Sequence, residues 1–115
     1  MKRYTMFVDG GLFLSLADIE AHSEAFAIRL AITYAEEAAR LYAARYWSDE
    51  KWAEIERLEL IIDIAPVDAD GKIAGNNSIQ YATFFPSTFG DDERRLLAPI
   101  PIPGVTPIPL TLKDC

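Results

Sequence analysis

The sequence predicts an α+β domain in which a helical pair packs on a small, mainly antiparallel sheet, followed by an extended proline-rich C-terminal arm. Three observations carry this reading. Residues 16–47 contain no proline or glycine and many alanines, the composition of a helix. Two later runs, Leu60–Ile64 and Ser78–Phe85, alternate with period two, the signature of strands. Five prolines then fall among the twelve residues Pro99–Leu110, where fixed φ and missing amide hydrogens exclude a central strand. With 115 residues the chain supports one core, so residues 1–97 are read as a single compact domain and residues 98–115 as the arm.

The first element is the β-prone run Arg3–Val8, which ends at Asp9-Gly10-Gly11, a turn signal because glycine accepts positive φ. Leu12–Leu14 beyond it permit a short hairpin. The alternative is a strand feeding a helix capped by Ser15, with Asp18 on its first turn. One helix over residues 16–47 would measure about 48 Å, against a span of about 35 Å for a compact domain of this size. The helix therefore either breaks near His22-Ser23, with Ser23 capping a second segment, or protrudes to meet another subunit.

Within that helix Arg29, Thr33, Glu36, Glu37 and Arg40 form one polar stripe and the rest is mostly apolar, so the helix is expected to be buried on most sides. Ser48-Asp49-Glu50 reads as the start of a second helix, with a capping hydroxyl and two carboxylates at the positive end of the dipole. Trp52, Ile55 and Leu58 recur at spacing three and predict a helix of about ten residues, antiparallel to the first. Leu60, Ile62 and Ile64 then face one way and Ile61 and Asp63 the other, in a strand ended by Pro66. A polar loop, residues 68–77, leads to the second alternating run, which stops at Pro86. A polar connector follows over residues 87–95.

Eighteen acidic side chains against eleven basic ones leave a net charge of -7. Residues 1–57 carry seven basic and ten acidic groups and residues 58–115 four and eight, so neither half offers a basic stripe for phosphates. Nucleic acid is thus excluded as the expected ligand, while a basic protein surface would be met faster in such a field. Cys115 is the only cysteine, which rules out an internal disulfide and points to a reducing, cytoplasmic setting. Lys2 and Arg3 precede an apolar run too short for an export signal, and Arg29 splits the best candidate for a membrane span.

Chemical motifs are sparse. Asp68, Asp70, Gly71 and Ile73 match part of a calcium-binding loop, but Pro66 and Asn77 stand where the first and twelfth ligands belong, so an Asp-Gly turn explains the same residues. His22 is the only histidine and has Asp18 and Glu20 nearby in sequence, and Asp9 and Asp63 are candidates for paired carboxylates. No nucleophile, phosphate-loop or dinucleotide motif accompanies them, and no cofactor is expected. Tyr42, Arg45, Tyr46, Trp47 and Trp52 gather near the helix corner, and Ile100 and Ile102 project on one side of the arm. These residue types favour interfaces.

The leading expectation is a non-catalytic protein-protein interaction protein, an inhibitor-type binder of a basic partner. In size and charge the chain resembles bacterial toxin-immunity proteins and phage anti-defence proteins, a likeness of profile and not of motif. The alternatives are a structural subunit that self-associates through the helix and arm, and a small enzyme or ligand-binding fold with a pocket between sheet and helix lined by His22, Asp9 or Asp63.

Overall fold

The computed structural model describes residues 1–108. It is an α+β fold in which one long and two short helices pack on a five-stranded, wholly antiparallel sheet. β1 (Lys2–Asp9) and β2 (Leu14–Ala21) form a hairpin, paired from Asp9↔Leu14 to Lys2↔Ala21. The chain then crosses the sheet as α1 (Glu24–Tyr46) and α2 (Asp49–Glu54) and returns as β3 (Leu58–Val67) on the other side of β1. β4 (Ser78–Phe84), a 3-10 turn over Pro86–Thr88, α3 (Asp91–Arg95) and β5 (Val105–Ile108) complete the order β4-β3-β1-β2-β5.

The hairpin settles the first ambiguity. Residues 16–21 lie in β2 and not in the helix, because pairing along β1 satisfies their backbone groups and buries Ala17, Ile19 and Ala21. The turn is specific: a β-carbon on Gly10 would stand 2.2 Å from the Phe13 ring, which closes over it, and the Gly10 amide donates to the Phe13 carbonyl (3.0 Å). The helix begins after Ser23, whose hydroxyl accepts from the Phe26 amide (3.2 Å), so the break expected there is the true start. At 23 residues α1 is about 35 Å long and fits the domain without protruding.

α1 meets the sheet through Ala27, Ala31, Ala35, Ala38, Ala39 and Ala43, whose small side chains bring the helix axis close to the strands. Opposite them stand Tyr4, Met6 and Val8 of β1, Ile19 of β2, Leu60, Ile62 and Ile64 of β3 and Phe84 of β4, all buried. Two expectations about the helices are corrected. Arg40 is fully buried, although it belongs to the polar stripe, because the C-terminal segment folds over it. α2 is six residues long and stops at Ile55, because Leu58 is already committed to β3, so it makes a corner against the 3-10 turn and no antiparallel helix pair. At that corner Trp47, Trp52, Phe84 and Phe89 pack ring against ring, with centroids 5.4–6.5 Å apart.

Two further details differ. β3 runs through Pro66, which lies opposite Tyr4, to Val67, and the connector at 87–95 contains the 3-10 turn and α3. Within the segment called the arm, residues 98–108 reach the sheet, where β5 pairs with β2 from Ile19↔Val105 to Leu16↔Ile108. Residues 109–115, including Cys115, lie outside the described residues.

Candidate functional site

α1 covers one face of the sheet, and the opposite face is uncovered by any described helix. Period-two alternation assigns its residues strand by strand. The cross-strand register then orders them in rows. One row reads Ile79, Asp63, Phe7, Leu16, Ile108, and the next reads Tyr81, Ile61, Asp9, Leu14. Ile61 (45% exposed), Ile79 (57%) and Tyr81 (69%) are among the most exposed apolar side chains of the described strands. Water-facing strands ordinarily carry polar residues in such positions.

The charge on this face is one-sided. Among the described strand residues that face outward, Asp9, Asp18, Glu20, Glu59 and Asp63 are acidic and Arg3 alone is basic. Arg3 lies opposite Glu20, and Glu59 has Arg57 at 3.7 Å. Asp9, Asp18 and Asp63 instead face Leu14 and Ile61, Thr5 and Thr106, and Phe7 and Ile79. Asp63 also lines a hollow of about 150 Å³, and among the described residues no other ionisable side chain lines it. Phe7, Leu16, Ala65 and Ile73 wall that hollow, with Ile73 brought in by its bridge to Val67. A carboxylate framed by apolar walls suits a lysine or arginine, whose methylene stem covers the walls while its charged head reaches the acid.

The catalytic candidates do not converge. Asp9 and Asp63 are diagonal neighbours on β1 and β3, about 7 to 8 Å apart by sheet geometry, and Asp9 accepts from the Gly11 amide (2.8 Å). His22 is exposed just beyond the far end of β2, about 27 Å along the ladder from Asp9. In the 68–77 loop the Asp68 carboxylate accepts from the amides of Asp70 (2.9 Å) and Lys72 (3.0 Å), and the loop closes as an Asp-Gly turn, with Asp70 exposed. Among the described residues no cluster of three metal-ligating side chains occurs, and no helix is long and apolar enough to cross a membrane.

The interface candidates divide into two places. Tyr42 stacks on Phe13 (5.5 Å) and meets Tyr46 at a tilt (4.7 Å), and with the exposed Arg45 they line a groove of about 500 Å³ beside α1. Ile100 and Ile102 line an adjoining hollow of about 370 Å³, which shares Tyr34 and Leu41 with that groove. Trp47 and Trp52 are buried in the aromatic corner. Sequence reasoning did not single out Phe7, Leu16, Ile61, Ile79 and Tyr81. The available signal was that these strands carry apolar residues on both alternating sets, more than a two-layer fold covers with one helix.

Compared with protein families, with characterised proteins and with solved structures, the chain matches none of them.

Proposed function

We propose that the protein is a non-catalytic, inhibitor-type binder that takes a basic protein partner on the uncovered face of its sheet. The observation that supports this most is the placement of Asp9 and Asp63 beside half-buried and exposed apolar side chains and of Asp18 between Thr5 and Thr106, with no cation directly across the ladder from any of the three. Apolar contact supplies the affinity and the carboxylates select lysine and arginine over acidic surfaces. The net charge of -7 adds long-range attraction that speeds encounter with a basic protein and repels copies of the chain approaching face to face.

The test compares proteins retained from a cell extract by three immobilised forms of equal folded content. These are the wild type, the double variant Asp18→Lys/Asp63→Lys on the sheet face, and the double variant Glu50→Lys/Glu54→Lys on α2. The two variants change net charge equally, and all four positions lie outside the buried core. Basic proteins should be retained by the wild type and the α2 variant and lost by the sheet-face variant. Equal loss from both variants would reduce the effect to net charge and contradict the proposal.

A further inference from the structure

The sheet has two edges of different character. β5 has four described residues and contains Pro107, an edge with a missing donor. β4 spans seven residues, Ser-Ile-Gln-Tyr-Ala-Thr-Phe, with no proline, glycine or charge. Its pairing with β3 runs one to one from Leu58↔Phe84 to Ile64↔Ser78, so no bulge twists it away from solvent. No described strand pairs with its outer side. Proteins protect such an edge with lysine, proline, bulges or short length, and β4 has none of these.

The distribution of charge says what fits there. In a chain with 29 charged residues, counted as 18 acidic and 11 basic, residues 73–90 contain none, and no longer uncharged stretch occurs. β4 lies within it. Elsewhere the acidic surface opposes contact between copies, but two β4 strands meet without like charges. Antiparallel self-pairing also closes under a two-fold axis and leaves no further edge to grow from.

We propose that β4 pairs antiparallel with β4 of a second copy, joining two sheets into one of ten strands. Tyr81 is the central residue of the strand and 69% exposed, so the two-fold axis brings the two Tyr81 rings together, flanked by Ile79 and Thr83 of each copy. Because directly opposed residues of an antiparallel pair project to the same side, the two uncovered faces lie side by side. The pairing does not depend on what occupies those faces.

The test is solution mass by light scattering over a concentration series of the full chain, in reducing buffer so that Cys115 cannot link copies. The forms compared are the wild type, Tyr81→Lys, Tyr81→Glu and an equimolar mixture of the two variants, with circular dichroism confirming that each is folded. The wild type should rise from 12.9 kDa to twice that mass. Each variant alone should dimerise about tenfold more weakly or worse, because like charges then stand opposite each other, and the mixture should recover the dimer. A wild type that stays at 12.9 kDa up to millimolar concentration, a variant that dimerises as well as the wild type, or a mixture that stays monomeric would each overturn the proposal.

Discussion

Arg40 and Ala98, 58 residues apart in sequence, are joined by a hydrogen bond of 3.1 Å from Nη2 of the guanidinium to the Ala98 carbonyl. Nη1 of the same side chain donates to the carbonyls of Glu93 (2.8 Å) and Leu96 (2.7 Å), while Nε and Nη2 hold the Glu37 carboxylate one helical turn away. Glu37 in turn accepts from the Ile100 amide (3.4 Å). One ion pair, its arginine fully buried and its glutamate mostly so, therefore fastens the end of α3 and the start of the proline-rich segment to α1. Its cation satisfies the carbonyls of Leu96 and Ala98 and adds a second donor to that of Glu93, which also accepts from the Leu96 amide (3.3 Å).

Arg40→Ala is expected to destabilise the domain by about 3 to 5 kcal/mol, since it leaves a mostly buried carboxylate without its cation and the carbonyls of Leu96 and Ala98 without the guanidinium donors. Adding Glu37→Ala should recover part of that loss by removing the stranded charge. Urea unfolding of the two single variants and the double variant gives the coupling, and additive losses would show that the pair does not act as a unit.

Gly104 sets the approach of β5 to the sheet. Its φ is +87°, a β-carbon there would stand 2.8 Å from the Glu20 carbonyl oxygen, and its own carbonyl accepts from the Glu20 amide (2.8 Å). Gly104→Ala should cost about 1 to 3 kcal/mol and release β5 from β2 while the rest of the sheet holds. Amide hydrogen exchange should then accelerate at Glu20 and along β5 and stay unchanged in β3 and β4. Unchanged exchange at Glu20 would contradict this account of the edge.

Glu36 gives a pH dependence of definite sign. Although the residue as a whole is exposed, partial desolvation pushes its carboxyl above the ordinary carboxylate range. The folded state therefore holds this proton more tightly than the unfolded chain does. Any stability it contributes is present at low pH and is lost as pH rises through the raised folded value. Glu36→Gln should be more stable than the wild type at pH 7 and lose that advantage near pH 3. An advantage that persists unchanged at low pH would assign the effect to something other than this titration.

Local chemistry made much of the fold legible. Ser23 and Ser48 cap the helices they were expected to cap, and the alternation around Ile62 and Ala82 located two of the strands. What stayed hidden depends on long-range pairing. Residues 16–21 have helical composition, yet a ladder along β1 satisfies more of their backbone than a helix extension would, and tertiary pairing overrides propensity. Arg40 is spaced like a surface residue, and only the return of residues 93–98 makes it a buried anchor. The sheet face was hidden for the same reason. Phe7, Ile61 and Ile79 come from three separated segments, and their adjacency follows from strand order, which no local pattern encodes.

The claim that the uncovered sheet face is the binding surface is tested most directly by an amide-resolved NMR titration. The probe is a synthetic peptide in which lysine alternates with leucine, added to the wild type and to Asp18→Lys/Asp63→Lys. The account predicts shifts concentrated at Phe7, Leu16, Asp63 and Ile79 that weaken with salt and disappear in the variant. Shifts centred instead on Tyr42 and Tyr46, or unchanged in the variant, would contradict it.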